Sequence, residues 1–94
     1  MSNRLTIQFC KFVDYTREGN ILDTHWGYRI YDDDEQDYDS GWNSLNQLCD
    51  AITPDNIFKF VEENHPNFVF GTLRGIKLNG AWVTNPKEQN GKDE

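Results

Sequence analysis

Two stretches of alternating sequence constrain this chain most. Arg4 to Val13 reads RLTIQFCKFV, with Leu5, Ile7 and Phe9 pointing one way and Thr6, Gln8 and Cys10 the other. That two-residue period belongs to a strand buried on one face. A second run lies between Ile21 and Asp32, with Trp26, Tyr28 and Ile30 on one face and His25, Arg29 and Tyr31 on the other. Gly19-Asn20 supplies a turn between the runs, so they predict an antiparallel hairpin.

Helical spacing takes over later. Ser44-Leu45-Asn46-Gln47 matches a capping box, in which the Ser and Gln side chains satisfy backbone amides at a helix start. Leu45, Leu48, Cys49 and Ile52 then recur on one stripe. Thr53-Pro54-Asp55 predicts a second helix with Thr53 as its cap and Pro54 in its first turn. Ile52 and Ile57 are placed to meet as a hydrophobic staple, and Ile57, Phe58, Phe60 and Val61 form its apolar face. Pro66 ends it near Asn64 or His65, because the residue before a proline is driven out of helical geometry.

Phe68-Val69-Phe70 is too short to assign by length. Gly71 and Gly75 punctuate a loop, and Ile76-Lys77-Leu78, Asn79-Gly80 and Ala81-Trp82-Val83 read as a hairpin around a type I′ turn. The order is β-β-α-α-β-β. It predicts an α+β fold, a small antiparallel sheet with two short helices packed on one face. Ninety-four residues suffice for one core, expected over 1–85, with 86–94 a disordered polar tail.

Between the second strand and the first helix lies YDDDEQDYDSGW. Asp32, Asp33, Asp34, Glu35, Asp37 and Asp39 fall within eight positions, framed by Tyr31, Tyr38 and Trp42, with no Lys or Arg among them. Mutual repulsion of six carboxylates predicts a solvated loop. An EF-hand register starting at Glu35 fails, since Ser40 stands where the turn Gly belongs and Asn46 where the last Glu belongs. No specific metal site is expected, though clustered carboxylates attract hard cations weakly.

The aromatics give the segment a different character. Rings beside charge supply the anchors of a protein interface, while the charge hastens encounter with a basic groove. Tyr31, Asp32, Asp33, Asp34, Glu35, Asp37, Tyr38, Asp39 and Trp42 are therefore the candidate partner-binding residues. The plainer reading is a solvated loop that keeps a small protein soluble.

Sixteen acids against nine bases give a net charge of −7. That charge repels phosphate backbones and anionic membranes, so the expected partner is a basic protein surface, with no direct nucleic acid and no membrane. Cys10 and Cys49 form no disulfide framework, and no secretion signal or membrane-length apolar run is read, so a cytoplasmic location is expected. Cys10, His25, Cys49 and His65 number enough for a zinc site but lack paired-ligand spacing, and Cys49 on a helix stripe reads as a small core residue. Arg29, Arg74 and Lys77 are expected to neutralise the acids in part. Without a phosphate loop, nucleophile elbow or split pair of carboxylates, neither catalysis nor a cofactor is expected.

In small size, acidity and exposed aromatics the chain is similar to phage-encoded inhibitors of bacterial defence, the anti-CRISPR and anti-restriction proteins. The resemblance covers composition and the acidic segment rather than a motif, and implies a nucleic-acid mimic that docks on a basic, nucleic-acid-binding groove. A cation- or small-ligand-binding module, or a toxin-neutralising immunity protein, is the alternative.

Overall fold

A computed structural model describes residues 4–68 and 73–86. Within them the elements are strands β1 (Arg4–Tyr15), β2 (Ile21–Tyr31) and β3 (Gln36–Trp42), helices α1 (Leu45–Ala51) and α2 (Ile57–Asn64), one 3₁₀ turn (Pro66–Phe68), and strands β4 (Gly75–Leu78) and β5 (Ala81–Thr84). The described strands form one sheet in the order β3-β2-β1-β4-β5. The α+β class and the predicted element order stand, with one strand added between β2 and the helices.

Two expectations about the sheet are corrected. It is mixed, because β1 and β4 run parallel, from Arg4 opposite Gly75 to Ile7 opposite Leu78. The two helices lie in the chain between β3 and β4 and supply the crossover such a pair needs. The acidic segment is also only partly a loop. Gln36–Trp42 pairs with β2, placing Tyr31 opposite Gln36, Ile30 opposite Asp37 and Tyr28 opposite Asp39. Carboxylates are tolerated there because β3 is the outermost strand, where both acids stay exposed.

Alternation along β1 and β2 places Leu5, Ile7, Tyr28 and Ile30 on one face, joined by Ile76 and Leu78 of β4. Leu48, Ile52, Ile57, Val61 and Phe68 from the helical half close over them in one cluster, so the helices cover this face. Each fully buried Leu or Ile contributes roughly 1.5–3 kcal/mol of transfer free energy. The opposite face carries exposed Gln8, Arg29, Tyr38, Lys77 and Trp82.

Local signals mostly hold. The Ser44 hydroxyl accepts from Gln47 N–H at 3.2 Å, and Gln47 Oε1 reaches back to Asn43 N–H at 2.9 Å. Asn79 and Gly80 take φ of 52° and 90°, the left-handed pair of a type I′ turn. α2, however, starts at Ile57 rather than in the Thr53-Pro54 turn. Thr53 N–H donates to Asn56 Oδ1 and Asn56 N–H to Thr53 Oγ1, a reciprocal pair that closes a separate turn first. Cys49 is exposed rather than in the core, because α1 is under two turns long and buries only Leu48. Val69, Phe70, Gly71 and the predicted tail from 87 onward lie outside the described residues.

Among the described residues, the β1–β2 hairpin beyond Cys10 and Trp26 pairs only with itself, continuing to Asp14 opposite Asp23 and Tyr15 opposite Ile21. This two-stranded arm ends in large exposed apolar side chains, Tyr15, Ile21 and Leu22.

Candidate partner-binding edge

The acids begin in a turn built by the first of them. Asp32 Oδ1 accepts from the N–H groups of Asp34 at 2.8 Å and Glu35 at 2.7 Å, while Asp32 N–H donates to the Glu35 carbonyl at 3.0 Å. One carboxylate is thus spent on holding the reversal, and Asp33, Asp34 and Glu35 project from it exposed. Glu35 Oε2 also accepts from Asn67 Nδ2 at 3.3 Å, tying the turn to the 3₁₀ segment.

From Gln36 the strand alternation divides the segment. Tyr38 joins Tyr31 on the open face, where it is 60% exposed and stacks on Phe12 of the arm with ring centroids 5.3 Å apart. Asp37 and Asp39 point to the helix side. Trp42 returns to that side because Gly41 is an extra residue between Ser40 and Trp42, which face Gly27 and Trp26 of β2. There Trp42 leans on Tyr28 at 5.7 Å. The nine predicted residues therefore share one edge but not one plane.

Asp37 is bound into a network that sequence reading missed. Its Oδ1 accepts from Tyr38 N–H at 2.8 Å, and its Oδ2 lies 3.4 Å from Nδ1 of His65. Nε2 of the same ring is 2.7 Å from the Tyr28 hydroxyl. His65 is 6% exposed and Tyr28 fully buried, with Phe60 and Phe68 packed around the imidazole. Burial first, then the Asp39 and Asp37 carboxylates, push the Tyr28 phenol well above its ordinary value of 10.0. The phenol therefore keeps its proton, and the imidazole bridges its hydroxyl to the Asp37 carboxylate. The arrangement resembles a relay whose hydroxyl end is fully buried. It pins the edge strand to the end of α2. The available signal was the alternation that buries Tyr28, together with a histidine at a helix end before Pro66.

The cations divide as well. Lys77 and Arg4 line an open-face cleft of about 600 Å³ with Thr6, Tyr31, Asp32, Asp33 and Trp82. Arg29 sits opposite Tyr38, beside the acids, whereas Arg74 precedes β4 on the far side of β1. The Arg4 guanidinium carbon lies 5.9 Å from the centre of the Trp82 ring, which also packs over Gly75. Among the described residues no three His, Cys, Asp or Glu side chains are grouped to hold a metal ion.

No helix among the described residues is long and apolar enough to cross a membrane. Comparison with protein-family models, curated proteins and solved structures finds no match.

Proposed function

We propose that this is a small, non-enzymatic interaction protein that presents the Asp32–Trp42 edge to a basic groove on another protein. The observation that supports this reading is the company of charge and ring on an outermost strand. Asp33, Asp34, Glu35, Asp37 and Asp39 are exposed along the β2–β3 turn and edge, next to an exposed Tyr38 stacked on Phe12. Carboxylates held by a rigid turn steer a basic partner, and the ring adds the apolar contact that rim charges lack. The basic groove of a nucleic-acid-binding protein has the matching chemistry, and inhibition of such a protein, as by the phage-encoded inhibitors, is the expected consequence.

The test replaces Asp33, Asp34 and Asp39 with Lys and leaves Asp37 to its structural network. The unaltered protein is expected to capture a basic protein from its source cells at low salt and to release it to added duplex DNA. The triple variant, folded by circular dichroism, is expected to capture none. Equal capture by the variant at low salt sinks the proposal.

A second reading rests on the cleft lined by Arg4, Lys77, Asp32 and Asp33. Its volume of about 600 Å³ lies within the range of small-molecule sites, and its mixed charge suits a zwitterion. Calorimetric titration with zwitterionic amino acids separates the two readings, since docking on a basic groove predicts no heat with them.

A further inference from the structure

We propose that the free β1 edge of the hairpin arm pairs with the same edge of a second copy of this chain, in antiparallel register centred on Val13. This rests on backbone geometry and is independent of the acidic edge.

The two outer edges of the hairpin are treated differently. On the β2–β3 side, carboxylates occupy outward amides: Tyr38 N–H donates to Asp37 Oδ1 and Thr24 N–H to Asp23 Oδ1, each at 2.8 Å. Such caps occupy the donors that an incoming strand's carbonyls would need. On the β1 side, β4 pairs only as far as Ile7, and Asn79 takes the next two positions. Asn79 N–H donates to the Ile7 carbonyl at 2.9 Å, and Asn79 Oδ1 accepts from Phe9 N–H at 2.8 Å. Ile7 and Phe9 therefore aim their backbone groups away from β2. By the alternation of an antiparallel ladder Lys11, Val13 and Tyr15 do the same. Among the described residues nothing caps these three.

The uncapped window stops at Asn79 on one side and at the turn on the other, where Thr16 N–H donates to the Asn20 carbonyl at 2.8 Å. Three outward residues remain, spaced symmetrically about Val13. A two-fold axis through that point fills the window with a copy of itself: Val13 meets Val13, and Lys11 meets Tyr15 twice. Phe12 falls opposite Asp14, so no like charges meet. The even register also keeps the helix-covered sides of the two sheets together.

Charge favours this occupant further. Residues 11–25 carry Lys11 and Arg17 against Asp14, Glu18 and Asp23, a net of −1 in a chain of −7. Two copies thus meet at a nearly neutral part, with their acidic edges beyond β2. The contact is short, so the dimer is weak and concentration-dependent.

Sedimentation equilibrium of the full chain from micromolar to millimolar concentration tests the proposal. The mass is expected to rise toward that of a dimer, with amide exchange at Lys11, Val13 and Tyr15 slowing in step. Val13→Pro removes the outward N–H and leaves the β1–β2 ladder intact, because that N–H faces away from β2. It is expected to weaken association about tenfold or more. Thr24→Pro, on the capped edge, is expected to leave association unchanged. A mass that stays monomeric overturns the proposal, as does equal weakening by both variants or none by Val13→Pro. Should Val13→Pro fail to fold, Val13→Lys sets like charges opposite each other on the axis, and unchanged association then overturns it.

Discussion

Tyr28 is where the buried chemistry of this molecule concentrates. Its ring packs against Trp42, Phe60 and His65, and its hydroxyl meets the imidazole at 2.7 Å. A phenol whose proton is held more tightly in the folded chain carries a pH signature. Below its ordinary value of 10.0 both folded and unfolded chains keep the proton, and stability is unaffected. Above it the unfolded chain loses the proton first, so stability falls as pH rises toward the raised folded value. Tyr28→Phe is expected to flatten that alkaline loss in thermal melts. At neutral pH it leaves Nε2 of His65 buried without its partner, costing about 1–3 kcal/mol. An alkaline profile identical to that of the parent protein would show that another group titrates.

At the scale of elements, the attachment of β3 depends on Gly27. A Cβ there would overlap the Asp39 carbonyl oxygen and the Ser40 Cα, backbone atoms that cannot swing aside. Gly27→Ala is expected to destabilise the protein by about 1–3 kcal/mol. Amide exchange is expected to quicken at Asp37 and Asp39, whose N–H groups face β2, before the β1–β4 pairs are affected. Uniform quickening through the sheet would mean that β3 does not detach alone. Element identity was legible where one local rule acted alone: the strand alternation of Leu5, Ile7 and Phe9, the capping box at Ser44, the turn at Asn79-Gly80. It was illegible where two acted together. Repulsion along Asp37-Tyr38-Asp39 argued for a loop, and strand pairing on an exposed edge outweighed it. Thr53 read as a helix cap because Asn56, which answers it, could equally have been a residue of the helix.

At the scale of the whole molecule, the proposed surfaces respond to salt in opposite senses. Docking of the Asp33-Asp34-Asp39 edge on a basic groove gains from attraction that ions screen, so partner capture is expected to fall as salt rises. Arm-to-arm pairing brings together two chains of net charge −7, and screening relieves their repulsion, so self-association is expected to strengthen. Measuring both on one preparation between low and moderate salt checks the assignment. Parallel responses would mean that one surface serves both contacts.

The sequence by itself determined the periods, the caps and turns, and the concentration of charge beside aromatic rings. Each depends on residues within a few positions of one another, where sterics and local hydrogen bonds decide. Tertiary structure alone decided that β1 and β4 run parallel, that Asp37 meets His65, and that the acids divide between a turn and the helix-covered side of an edge strand. Those outcomes depend on which segments lie side by side. That is settled by burying the Leu5, Ile7, Tyr28 and Ile30 face under Leu48, Ile57 and Val61, residues more than ten positions away in the chain.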